Sequence, residues 1–293
     1  MIESFAAKDL TELATVRARI RQTLENGGVV HLPNLEFALN VREREIVNPE
    51  RPLSLRFRNP RNSGRPTLLF YQRTGTLRGG SLKGVATTDL KEMLNRFADW
   101  ARDLVWTLLP DSTEHLEQEF TTFRPCARYR TQPLHMDAAI ARPTQGRCML
   151  RVFRNVNGGG VPRVWHIGGH FETAAERFAS RLPAKVRERI PGASALFHLL
   201  GISKGPATTY DHTMRLLRDI MTTDKEFRRS APRTVVEFPA GSTWLAFTDL
   251  ALHAAVSGQH SLDQTFLMNL AGMHDPNRSS LRILERMTGR TLA

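Results

Sequence analysis

Between residues 120 and 270 the sequence is cut into short stretches rich in β-branched and aromatic residues, each stopped by Pro, Gly or Asn. They fall around 120–130, 134–140, 147–155, 161–167, 234–238, 243–248 and 264–270. Stretches of this length and punctuation predict strands, and Pro239-Ala240-Gly241-Ser242 predicts a turn between two of them. Two longer segments, about 171–190 and 210–229, read as helices that interrupt the series. Many short strands must close on themselves or stack as two sheets to bury their apolar faces.

The region ahead of them has a different texture. Leu10, Leu13, Val16, Ile20 and Leu24 recur at helical spacing, so 8–26 predicts a helix ended by Gly27-Gly28. Val29–Leu32 predicts a short strand stopped by Pro33. Residues 46–87 are rich in Arg, Pro, Gly and Ser and predict loops with a short strand at 67–71. Over 88–109, Leu90, Met93, Leu94, Phe97, Ala101, Leu104, Val105 and Leu108 form one apolar stripe, with Thr88 or Asp89 to cap the helix and Pro110 after its end. The expected architecture is mainly β with flanking helices. The texture allows a β-barrel or a jelly roll over 120–270, with helical insertions, under a helix-rich N-terminal layer over 1–110; of the two the jelly roll, of the double-stranded β-helix kind, is expected. No linker or repeat divides the chain, so 1–293 is expected to be a single domain.

Hydrophobic residues at 41% and charged residues at 24% are ordinary for a globular protein, so disorder is not the default reading. Cys126 and Cys148 are the only cysteines. They exclude a disulfide scaffold, suit a reducing compartment and read as small buried hydrophobes. The net charge of +12 favours a polyanionic partner: nucleic acid, an anionic membrane surface or a phosphorylated glycolipid. The opening MIESFAAKDL is unlike a signal peptide, and no run reaches the ~18 apolar residues of a membrane span. The expectation is a cytoplasmic protein that visits the inner face of the inner membrane.

The chemistry concentrates in Leu134-His135-Met136-Asp137. On a strand, residues two apart share a face, so this imidazole and carboxylate can reach one ion. Two histidines and one carboxylate on one face of an octahedron bind non-haem Fe(II) and leave positions open for co-substrate and oxygen. His253, following the strand expected at 243–248, supplies the second imidazole; His260, seven residues on, competes for that place. His31, His115 and His198 read as structural, while His166, His170 and His212 lack ligand spacing.

From Thr122 onward the chain resembles the Kdo hydroxylases, which hydroxylate the 3-position of Kdo (3-deoxy-D-manno-oct-2-ulosonic acid) in lipopolysaccharide. The likeness is carried by Phe123-Arg124-Pro125, Leu134-His-Met-Asp137, Ala141-Arg-Pro-Thr-Gln-Gly146 and Leu150-Arg-Val-Phe153 with Asn155-Val-Asn157. It continues in Pro162-Arg-Val-Trp165, Tyr210-Asp-His212, Phe238-Pro-Ala-Gly-Ser-Thr-Trp244, His253-Ala-Ala-Val-Ser-Gly-Gln259 and Gln264-Thr-Phe266. Thr74-Gly75 and Arg78-Gly79 are a fainter echo, so the likeness spans about 65–270. The chain departs from the family pattern at His166-Ile-Gly-Gly-His170, after Asp137, and at Tyr71-Gln-Arg73. The resemblance implies a cupin-like oxygenase core that uses Fe(II), 2-oxoglutarate and O2 and releases succinate and CO2. It implies Kdo-lipid A, or a related anionic glycolipid, as substrate, at the inner face of the inner membrane.

On this reading His135, Asp137 and His253 bind Fe(II). The far carboxylate of 2-oxoglutarate needs a cation, for which the Arg fork is suited. The strand Gln264-Thr-Phe-Leu-Met-Asn269 offers none, so the expectation falls on Arg151 and then Arg147, with Gln264 and Thr265 adding hydrogen bonds. Arg128, Arg130 and Arg142 are candidates for the acceptor sugar, and Trp165 and Trp244 are either core or sugar platform. Other acceptors, a protein side chain or a methylated base, remain open. Against nucleic acid, no aromatic stripe interleaves the basic residues. A non-catalytic cupin-like binding module is also open; a zinc hydrolase is disfavoured, since no His-Glu-x-x-His occurs.

Overall fold

The computed structural model describes residues 1–6, 13–50, 67–80, 82, 84–125, 133–138, 142–183 and 205–293. In chain order its elements are β1 (Ile2–Ser4), α1 (Leu13–Glu25), β2 (Val29–Leu32), α2 (Val41–Ile46), β3 (Leu68–Tyr71), β4 (Thr76–Arg78) and α3 (Thr87–Leu108). There follow β5 (Leu116–Arg124), β6 (Cys148–Asn155), β7 (Arg163–His170), α4 (Phe171–Ala179), α5 (Thr209–Thr223), α6 (Lys225–Ser230) and β8 (Arg233–Phe238). The chain ends with β9 (Thr243–Phe247), β10 (Ala251–Ser257), β11 (Ser261–Met268) and α7 (Ser280–Thr288).

The strands form two sheets: eight in the order β1-β2-β9-β6-β11-β5-β3-β4, and three in the order β10-β7-β8. Neighbours pair antiparallel except β1 with β2. Alternation gives the large sheet two chemically distinct faces. Its outer face presents Val30, Leu150, Val152, Leu245, Leu262 and Phe266, which pack with Ile20 and Leu24 of α1 and Met93, Leu94 and Phe97 of α3 in one buried core. Its inner face meets the small sheet through Phe153 and Trp244, which close on Trp165 of β7 and Phe238 of β8. Trp244 stacks on Phe238 at 4.1 Å and meets Trp165 edge-on at 5.5 Å. Both tryptophans are thus part of the seam between the sheets. This is the expected jelly roll with helices outside.

The structure differs from the sequence expectation in places that matter for the site. Residues 133–138 do not form a strand; they make one isolated bridge, His135 to His253. His253 instead has a strand of its own, β10. Gly168 of β7 makes room for this junction: a Cβ there would meet the Leu252 Cβ at 2.9 Å and a Leu134 methyl at 3.2 Å. The helix expected over 210–229 breaks at Asp224, whose carboxylate accepts from the Phe227 amide at 2.8 Å and caps α6. Of the helix expected at 171–190, α4 accounts for 171–179, and 184–190 lie outside the described residues, as do Cys126, Arg128, Arg130 and His198. Cys148 is buried, with its thiol pKa pushed up by burial.

Candidate metal centre

The two imidazoles come together through the backbone. The His135 amide donates to the His253 carbonyl at 3.1 Å, and the His253 amide donates back at 2.9 Å. The next turn of the segment is held by the Asp137 amide on the Thr248 carbonyl at 2.7 Å. A register shift in the β10–β7 pairing falls between Ala251 and His253; such a bulge re-aims a side chain. The result is a cluster in which the ligand atoms of His135, Asp137 and His253 lie within 4.8 Å of one another.

Both rings are oriented to present Nε2 to an ion. Nδ1 of His135 lies 2.9 Å from the Pro133 carbonyl, and Nδ1 of His253 lies 2.9 Å from the Ala251 carbonyl. A carbonyl only accepts, so each Nδ1 carries a proton and Nε2 is the atom left to face an ion. Burial, then the neighbouring His253, lowers the His135 pKa to about 3. Trp165 stacks on the His253 ring at 5.0 Å with planes inclined by 22°. Asp137 is ionised: burial opposes its charge, but Arg151 and the flanking groups outweigh it and hold the carboxyl well below the usual range.

Arg151 of β6 joins the metal carboxylate to the sheet. One guanidinium nitrogen donates to Asp137 Oδ2 at 2.8 Å and the other pairs with Asp263 of β11. Asp263 has no solvent exposure and also accepts from Arg124 Nε at 3.1 Å. A buried carboxylate is tolerated only when it is paired in this way.

A cavity of about 140 Å³ opens from the cluster between the sheets. The strand register orders its walls. Ile167 sits opposite His253, Trp165 opposite Ala255, and Arg163 lies two residues further along the same face of β7. At that end Arg124 faces Ser261 across the β5–β11 pairing. Arg163 is buried, donates to the Gly258 carbonyl and makes no salt bridge among the described residues. Burial, then the charge of Arg124, lowers its pKa to about 10, so it stays charged at neutral pH. Arg218 of α5 lines the cavity at the metal end and donates to the Ala138 carbonyl at 2.9 Å.

The remaining expected residues lie elsewhere. Gln264 is one residue from Asp263, so it faces the outer core, where its amide oxygen accepts from Thr121 at 2.6 Å. Arg147 precedes β6 and is spent on the Thr144 carbonyl and Glu117. Arg142 is exposed, with its guanidinium 4.3 Å from the Phe120 ring centroid. Thr265 is on the inner face opposite Arg151 and is buried, its hydroxyl unpaired. His260 is buried against Phe123, outside the cavity. Asp263, Arg163 and Arg218 drew no role from sequence reasoning. The available signal for Asp263 was a lone acid inside the otherwise uncharged strand Leu262-Asp-Gln-Thr-Phe-Leu-Met268.

The donor set fits an Fe(II) ion: two imidazoles and one ionised carboxylate beside a cavity. Comparison with known proteins agrees. A family model described as 3-deoxy-D-manno-oct-2-ulosonic acid (Kdo) hydroxylase matches residues 7–291. No curated protein matches the chain. Among solved structures, the Kdo hydroxylase KdoO, a non-haem Fe(II) α-ketoglutarate-dependent dioxygenase, superposes with a TM-score of 0.84. In its complex with succinate and Fe(III) the identity is 32%, covering 99% of this chain and 97% of that one. In its complex with α-ketoglutarate and Fe(III) the identity is 31%, covering 100% and 97%.

Proposed function

The chain belongs to the Kdo hydroxylase family, and from that premise we propose that it inserts oxygen at the deoxygenated 3-position of Kdo carried on lipid A. It is a non-haem Fe(II)- and 2-oxoglutarate-dependent dioxygenase. The observation that carries the site assignment is the buried cluster of His135, Asp137 and His253 at the head of a cavity that ends on Arg163.

His135, Asp137 and His253 hold Fe(II). When bound, the metal and 2-oxoglutarate supply the oxygen activation and C–H oxidation, with succinate and CO2 as by-products. Arg163, with Arg124 and Ser261 beside it, receives the far carboxylate of the co-substrate. Arg163 lines the same cavity as His135, Asp137 and His253, on the face of β7 that carries Trp165, so a dicarboxylate lying along that cavity from the metal has a cation at its other end. Arg151 is already bonded to two carboxylates, and its third nitrogen, Nε, is buried without a partner among the described residues; its task is to hold Asp137. Trp165 walls the cavity beside His253 and keeps water from that side.

The basic chain suits an anionic glycolipid, and no described helix is long and apolar enough to cross a membrane. We assign it to the cytoplasmic face of the inner membrane, in peripheral contact.

The test is to mix the protein with Fe(II) and 2-oxoglutarate without oxygen, admit O2, and follow succinate and the mass of Kdo-lipid A. One added oxygen on Kdo, coupled to succinate and absent in Asp137→Ala, is the expected result. Succinate formed with the lipid unchanged would transfer the assignment to another acceptor. Absence of both Fe(II) binding and succinate would overturn it.

A further inference from the structure

The cavity is lined by the guanidinium groups of Arg124, Arg151, Arg163 and Arg218, and their partners divide them. Arg124 and Arg151 are committed to Asp263, and Arg151 also to Asp137. Arg163 lies at the far end, away from the metal ligands. Arg218 stands apart. It reaches in from α5, outside both sheets, and is half-buried. Its one described hydrogen bond goes to the carbonyl of Ala138, the residue after Asp137. That bond fixes one end of the fork beside the metal ligands and leaves the other donors without a described acceptor.

The acceptor's chemistry says where a cation is needed. In Kdo the carboxylate carbon and the deoxygenated C3 are both bonded to C2. A C3–H bond presented to the metal therefore brings the carboxylate to the metal end of the cavity. A carboxylate entering that low-dielectric space needs a charge partner. We infer that Arg218 is the specificity residue that receives the sugar-acid carboxylate of the acceptor and thereby orients C3 toward the metal. This rests on the Kdo reading above and adds the residue that recognises the acid.

The experiment compares a Kdo glycoside with the same glycoside carrying a neutral primary amide at C1. Both are given with Fe(II), 2-oxoglutarate and O2 to the full-length wild type, Arg218→Gln and Arg218→Lys. Product mass gives kcat/KM for each acceptor; KM for 2-oxoglutarate and the melting temperature are measured alongside. The wild type is expected to favour the acid by ~10–100-fold, the range for a lost charged hydrogen bond. Arg218→Gln should lose most of that preference at an unchanged KM for 2-oxoglutarate, and Arg218→Lys should retain part of it. An Arg218→Gln enzyme that still favours the acid as strongly as the wild type overturns the inference. So does one whose deficit lies in 2-oxoglutarate binding. Wild-type turnover of neither acceptor, with succinate still formed, overturns the Kdo reading itself and this inference with it, a result distinguishable by the wild type alone.

Discussion

His135 and His253 exchange both of their main-chain hydrogen bonds across a single isolated bridge. The two imidazoles of the proposed centre are therefore set by backbone pairing, with ring orientation fixed by the Pro133 and Ala251 carbonyls. Replacing one ligand should leave the fold intact while the centre is lost. His253→Ala and Asp137→Ala should weaken Co(II) or Fe(II) binding by more than the ~10–100-fold that an outer partner is worth. Succinate formation should fall to background with the melting profile of the metal-free protein little changed. Metal titration followed by visible absorption checks this; wild-type affinity in Asp137→Ala would remove Asp137 from the centre.

Asp263 reaches the same centre through one intermediary. It pairs with Arg151, and Arg151 holds Asp137 Oδ2 at 2.8 Å. Asp263→Asn keeps the shape but removes the charge that anchors the guanidinium, so Asp137 should become less well ordered. The expected outcome is ~10–100-fold weaker metal binding in a protein that still folds. Asp263→Ala, which leaves the buried Arg151 and the half-buried Arg124 short of a partner, should cost ~3–5 kcal/mol of stability. Chemical denaturation and metal titration separate the two effects. Unchanged metal affinity in folded Asp263→Asn would show that the pair serves packing alone.

The extent to which this was legible follows from how each feature is encoded. That His135, Asp137 and His253 come together was readable because a His-x-Asp pair and a distal histidine are local patterns. The reason differs, however, since residues 133–138 are held by one bridge of two backbone bonds and a third bond from the Asp137 amide rather than by a strand. β10 was hidden because Ala251-Leu-His-Ala-Ala-Val256 is apolar apart from His253 and buried on both faces up to Ala255, so no alternation marks it. Arg163, Asp263 and Arg218 owe their roles to partners on other elements, and a single sequence does not reveal which strands pair. Gln264 shows how unforgiving the period of two is: one residue from Asp263, it points into the opposite core.

Arg163 and Gln264 accordingly make opposite predictions. Arg163→Gln removes a buried cation from the far end of the cavity. It should raise KM for 2-oxoglutarate by ~10–100-fold, the worth of a charged hydrogen bond pair, with a smaller effect on kcat. Gln264→Ala should leave that KM unchanged and instead cost ~1–3 kcal/mol of stability, because the Thr121 hydroxyl loses its buried acceptor. Steady-state kinetics with varied 2-oxoglutarate, beside denaturation curves, tests both. A raised KM in folded Gln264→Ala would return Gln264 to the co-substrate site.

His260 should set part of the acid limit of the fold. It is 1% exposed, stacks on Phe123, and neither ring nitrogen has a described partner. Burial lowers its pKa from 6.5 to about 4. Above pH 6.5 the ring is neutral whether the chain is folded or not, and this group adds no pH dependence. As pH falls from 6.5 toward 4 the unfolded chain takes up a proton that the folded one refuses, so stability is lost across that window by up to ~1.4 kcal/mol per unit. Below 4 the folded ring protonates as well and the loss stops growing. Asn tolerates the backbone at this position, where φ is 55°, and does not titrate there. Metal-free His260→Asn should therefore lose stability less steeply than metal-free wild type between pH 7 and 4.5, while the other histidines contribute equally to both. Denaturant midpoints across that range measure the difference, and parallel slopes would show that His260 takes up its proton in the folded protein as readily as in the unfolded one.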